Sequence, residues 1–100
     1  MTHIQLQNKF SRKLKKYIGS LFYFYYKIPD AKGLGGLRPF DSLLLFRSVF
    51  YAIEFKVGRD KLKKHQTYYL EMVEFSGGEQ LVITDKDNLD DIIKHRILKI

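Results

Sequence analysis

The sequence predicts an α/β fold whose elements run α-β-β-β-α-β-α, and three observations predict it. Apolar residues recur at helical spacing over residues 3–18, then give way to alternation and short apolar runs from residue 21 onward. Two segments, 40–46 and 50–57, are nearly continuous in strand-forming residues, as central strands covered on both faces would be. Gly19, the Pro/Gly-rich stretch 28–39 and Gly77-Gly78 then interrupt the chain where elements should end. One hundred residues build one core but not two, so 1–100 reads as a single domain.

Residues 3–18 read as an amphipathic helix, with Gln7, Phe10, Leu14, Tyr17 and Ile18 on one stripe and Gly19 as its stop. Leu21 to Lys27 is a strand with Phe22, Phe24 and Tyr26 on one face and Tyr23 and Tyr25 on the other. The loop 28–39 follows. Phe40 to Phe46 and Phe50 to Val57 are two strands joined by a turn at Arg47-Ser48. Asp60 is the expected N-cap of a helix over 61–75, whose sheet-facing stripe is Leu62, Gln66, Tyr69, Leu70 and Val73. Glu79 to Thr84 is the fourth strand. Asp87 or Asn88 caps a last helix with Leu89, Ile92, Ile93, Ile97 and Ile100 on its apolar stripe.

The formal net charge is +7, and it is uneven. Lys9, Arg12, Lys13 and Lys16 crowd the first helix without an acid, and Arg59, Lys61, Lys63 and Lys64 form a second cluster. Such basic surfaces point to a polyanion, most often nucleic acid, and these residues are the expected phosphate contacts. With no cysteine, thiol nucleophiles, disulfides and zinc–thiolate sites are excluded. The longest wholly apolar run, Leu21 to Tyr26, is far too short for a membrane span, and Met1 to Lys16 lacks the apolar core of a signal peptide. These features predict a soluble cytoplasmic protein with no membrane partner. Gly33-Leu34-Gly35-Gly36 lacks the Gly-Lys-Ser/Thr ending of a P-loop. It reads as a connecting loop or a flap from which Lys32 and Arg38 reach phosphates.

Chemistry concentrates in Arg38-Pro39-Phe40-Asp41 and in Ile53-Glu54-Phe55-Lys56. A bare carboxylate inside a core costs several kcal/mol, and two together repel each other. Side chains two apart on a strand share a face, so Glu54 and Lys56 project together beside Phe50 and Ala52. The turn at 47–48 pairs the start of one strand with the end of the next and brings Asp41 near both. A divalent cation explains the acid pair, and the lysine suits a phosphate. Magnesium would take oxygens from Asp41, Glu54 and the Phe55 backbone carbonyl, with manganese as a substitute. Lys56 would orient water or offset charge on the phosphate. Gln66 is an amide on the inward stripe of the following helix, where it can hold the attacking water or a phosphate oxygen. His3, His65 and His95 share no ligand spacing.

These residues resemble the PD-(D/E)XK nuclease superfamily. Pro39-Phe40-Asp41 stands for its PD element with one residue inserted, and Glu54-Phe55-Lys56 for its (D/E)XK element. Gln66 looks like the helix glutamine of the virus-type replication-repair nuclease branch, and residues 26–66 are similar to small Holliday-junction resolvases. The resemblance implies a restriction-endonuclease-like core, a four-stranded mixed sheet flanked by helices. It also implies metal-dependent hydrolysis of DNA phosphodiesters, selective for branched structures and carried out by a homodimer. Alternatives are a flap, end or single-strand nuclease of the same fold, or a nucleic-acid-binding module without turnover. Two departures stand out. Members often carry a glutamate on the first helix facing the metal, and here that helix has no acid and offers Gln7. Pro29-Asp30 is a literal PD dipeptide that competes with Asp41, leaving Asp30 as an accessory candidate.

Overall fold

The computed structural model describes residues 1–29 and 38–100, and the expected succession of elements is present within them. Helix α1 spans His3–Ile18. Strands β1 (Tyr23–Lys27), β2 (Ser42–Phe46) and β3 (Val49–Lys56) precede helix α2 (Lys64–Phe75), and strand β4 (Glu79–Thr84) follows it. A short α3 (Leu89–Asp91) continues as a π-helical stretch over Ile92–Leu98. The sheet order is β1-β2-β3-β4, antiparallel between the first three strands and parallel between β3 and β4. The sheet is therefore mixed, and α2 supplies the crossover that a parallel neighbour requires.

The sheet separates two apolar layers. Tyr51, Ile53 and Phe55 face α1 and the C-terminal helix, while Ala52 and the partly buried Phe50 face α2 with Leu70 and Phe40. A capping box starts α1: the Thr2 hydroxyl accepts the Gln5 N–H at 3.1 Å, and the Gln5 side chain accepts the Thr2 N–H at 2.8 Å. The buried stripe of α1 is Leu6, Phe10, Leu14 and Ile18. Leu6 displaces Gln7 from its centre, and Gln7 and Tyr17 are only half-buried. Burying each of these apolar side chains contributes about 2 kcal/mol, which holds in place a helix that would be marginal alone.

Two local features set the sheet's shape. The β2–β3 hairpin turns on Arg47 (φ 51°) and Ser48 (φ 67°), consecutive left-handed residues of the kind a two-residue type I′ loop demands. At the end of α2, Gly77 (φ 97°) allows the Gly78 N–H to reach the Val73 carbonyl at 2.9 Å and the Gly77 N–H to reach Glu74 at 3.1 Å, a Schellman cap.

The expected helix boundaries need correction at both C-terminal helices. Asp60 does not cap α2, which begins four residues later with Lys63 as N-cap; Asp60 instead lies 3.5 Å from Lys56 Nζ. Tyr69, expected to face the sheet, is 38 % exposed, because the inward positions of the shortened helix are Leu70 and Val73. Asn88, rather than Asp87, caps α3, accepting the Asp91 N–H at 3.1 Å. The following π-helical winding buries Leu89, Ile93 and Ile97, four residues apart, and leaves Ile100 exposed beyond the left-handed Lys99.

Candidate metal centre

Asp41 immediately precedes β2, and the register Ser42↔Ile53 continued by one step sets it opposite Glu54. Both are buried, Asp41 at 1 % exposure and Glu54 at 2 %. Lys56, at 5 %, shares the face of Glu54. The backbone of Phe55 lies between them and serves the same place. Its N–H donates to Asp41 Oδ2 at 2.8 Å, so a side-chain carboxylate takes the hydrogen bond that a longer β2 would have accepted. In an extended strand the N–H and C=O of one residue point the same way, which also leaves the Phe55 carbonyl facing this rim.

The carbonyl is met by a residue from the far end of the sequence. His3 Nε2 lies 2.7 Å from Phe55 O and 3.1 Å from Asp41 Oδ2. One donor atom each from His3, Asp41 and Glu54 falls within 4.8 Å of the others. The capping box places His3 at the first position of α1, on the stripe that continues as Leu6 and Phe10. Its ring sits edge-on to Phe55 at 6.3 Å, and Phe10 also packs edge-on to Phe55 at 5.6 Å. Sequence reasoning passed over His3 because no other histidine stands at a ligand spacing from it. The usable signal was its place three residues before Leu6 on the inward stripe. From α1 it is His3 that is seen to reach Asp41.

Three groups tune the acids. Arg38 Nη2 donates to Asp41 Oδ1, and Arg38 Nη1 donates to the Ile28 carbonyl at 3.3 Å. The Gln66 amide donates to Glu54 Oε1 at 3.0 Å, while its own carbonyl accepts the Lys63 N–H at 2.9 Å. Gln66 thus starts α2 and holds the glutamate in one step. Lys56 Nζ stands 3.8 Å from Glu54 Oε1. Even so, burial, then the Asp41 charge, pushes the Glu54 carboxyl up to about 8, with Lys56 and Arg38 pulling the other way. Glu54 Oε2 is buried and has no hydrogen-bond partner among the described residues. A raised carboxyl, an unpartnered oxygen and a converging imidazole, carboxylate and carbonyl form a donor set that Arg38 and Lys56 only partly offset. A divalent cation fits it.

Two expected phosphate contacts are otherwise engaged. Arg38 is turned onto Asp41, and Lys13 bonds Asp90 Oδ2 at 2.9 Å, where Tyr17 also donates to Asp90 Oδ1 at 2.8 Å. This pair ties α1 to α3, and it holds the Asp90 carboxyl below and the Tyr17 hydroxyl above their usual ranges. Lys9, Arg12, Lys16, Arg59, Lys61, Lys63 and Lys64 are exposed. Asp30 and Lys32 lie outside the described residues.

The described elements define a restriction-endonuclease-like α/β fold, with an acid pair and a lysine at the rim of its mixed sheet. A solved structure described as a VRR_NUC domain shares that fold. It superposes with a TM-score of 0.63 over 88 % of this chain and 94 % of its own, at 21 % sequence identity. No protein-family model matches the sequence, and no curated protein matches it. Among the described residues, no helix is long and apolar enough to cross a membrane.

Proposed function

We propose that this chain is a divalent-metal-dependent DNA endonuclease that prefers branched DNA and works as a homodimer. The observation that carries this reading is the convergence of Asp41, Glu54 and the Phe55 carbonyl beside a buried Lys56. The fold shared with a VRR_NUC domain agrees with the family that the Asp, Glu-Phe-Lys and Gln set resembles.

An ion bound there supplies Lewis-acid polarisation of a phosphoryl oxygen and an acidified water. The chain's own residues do the remainder. Asp41 is held by the Phe55 N–H on one oxygen and by Arg38 on the other, so it keeps one rotamer. Gln66 fixes Glu54 in the same manner. Lys56 is an ammonium in a water-poor setting, where it opposes charge building on the phosphate more strongly than a solvated lysine would. The exposed cations on α1 and around residues 59–64 take the flanking phosphates, which makes binding salt-sensitive and largely indifferent to base sequence.

Cutting a branched junction takes two coordinated incisions, hence two sites related by symmetry. The sheet face under α2 is left open at its β1 end, where Phe24, Tyr26 and Leu45 are half-exposed and Phe22 fully so. A second copy covering that patch accounts for it.

The test is cleavage of four-way junction, flap, single-stranded and linear duplex DNA with Mg2+, Mn2+ or chelator, for wild type, Asp41→Asn and Glu54→Gln. Metal-dependent cutting lost in both variants, with DNA binding kept, is the expected result. Cutting of flaps or single strands in preference to junctions redirects the substrate assignment. Binding with no cutting on any substrate overturns the enzymatic reading in favour of a binding module.

A further inference from the structure

We propose that His3 is a metal ligand and that its nitrogen makes the site select a first-row transition ion, such as manganese, over magnesium. This rests on the reading that Asp41 and Glu54 hold a divalent cation. The distances suit a ligand. An octahedral ion with donors at about 2.1 Å sets neighbouring donors about 3 Å apart and opposite ones about 4.2 Å apart. His3 Nε2 is 2.7 Å from Phe55 O and 3.1 Å from Asp41 Oδ2, and the donors of His3, Asp41 and Glu54 lie within 4.8 Å of one another. The first two separations suit edges of one coordination shell, with Glu54 close enough to join it. A second observation is independent of the histidine: the buried Glu54 Oε2 lacks a partner among the described residues.

The choice of ion follows from donor chemistry. Magnesium is hard, prefers oxygen and keeps most of its waters. Imidazole nitrogen binds first-row transition ions in rising order from manganese to copper. A site with one nitrogen among its oxygens therefore raises transition-ion affinity without raising that of magnesium. The neutral imidazole also brings no negative charge, so the donor set carries two acids for one ion. The helix that presents it is fixed independently of any ion by the Thr2–Gln5 capping box and by Leu6 and Phe10 beneath it.

The experiment is isothermal titration of the full chain with Mn2+ and with Mg2+, for wild type, His3→Ala and His3→Glu, together with pulsed EPR of the Mn2+ complex. Wild type should bind Mn2+ about 100-fold more tightly than Mg2+. His3→Ala should weaken Mn2+ about 10- to 100-fold while changing Mg2+ less than about threefold. His3→Glu should narrow the Mn2+/Mg2+ ratio to about 10-fold or less. The EPR signal should carry a directly bonded nitrogen in wild type and lose it in His3→Ala. Equal losses for both ions in His3→Ala, or no nitrogen coupling in wild type, overturn the proposal and leave His3 as a prop for the Phe55 carbonyl. Should His3→Ala fail to fold, the wild-type EPR signal decides alone. Unchanged affinity in Asp41→Asn and Glu54→Gln would instead remove the metal site itself, a separate failure.

Discussion

Replacing Glu54 by glutamine should stabilise the metal-free protein while removing its metal-linked stability. The carboxyl is 2 % exposed, faces Asp41, and is raised from 4.5 to about 8. Between those values the folded chain holds a proton that the unfolded chain has released. Stability therefore falls as pH rises from about 4.5 to about 8, and levels off above. At 1.36 kcal/mol per unit, the shift corresponds to about 5 kcal/mol; relaxation and water entry reduce the realised loss to roughly 2–4 kcal/mol. Glutamine has nearly the same shape and keeps an oxygen for the Gln66 amide, but it carries no charge. Urea unfolding with EDTA present, at pH 5, 7 and 9, should show the two proteins close at pH 5 and the variant ahead at pH 9. Adding a divalent ion at 100 times its dissociation constant should return about 2.7 kcal/mol to wild type and little to the variant. Parallel pH profiles, or a wild type more stable than Glu54→Gln in EDTA at pH 9, would refute the claim that burial and the Asp41 charge outweigh Lys56 and Arg38 at Glu54.

Three further outcomes follow from single contacts. Lys56→Met should lower single-turnover cleavage by on the order of 100-fold or more while leaving Mn2+ affinity, read by titration calorimetry, the same or higher, since a cation near the ion is gone. Gln66→Leu removes both the donor to Glu54 Oε1 and the acceptor of the Lys63 N–H; it should cost about 1–2 kcal/mol in urea unfolding and weaken Mn2+ binding about 10-fold. Ser48→Gly relieves a left-handed serine at φ 67° and should raise stability by about 1 kcal/mol, seen as a higher urea midpoint at constant slope.

The helix stop at Gly19, the paired strands around Arg47-Ser48 and the Gly77-Gly78 break were legible because each is a local event. Period, propensity and glycine conformation act over a few residues. The same locality explains the errors. Asp60 looked like an N-cap within its own sequence window, yet it lies beside Lys56, and α2 starts where Gln66 can bond the Lys63 N–H. On α1 the stripe was legible at Phe10, Leu14 and Ile18, but Gln7 stood in for Leu6, because helical periodicity at the first turn admits either neighbour and only packing decides between them. Arg38 and Lys13 counted as free cations until Asp41 and Asp90 were found beside them.

By itself the sequence determined the order of elements and the shared face of Glu54 and Lys56, since strand alternation requires no knowledge of partners. It also determined the excess of positive charge and the absence of thiol chemistry. Only the tertiary structure decided that His3 and Phe55, 52 positions apart, meet at 2.7 Å, and that Asp41 is shared between Arg38 and the Phe55 N–H. Spacing along the chain carries no information about such encounters. They arise because burying Leu6 and Phe10 fixes where α1 lies across the sheet, and the first residue of that helix is carried to the rim with it.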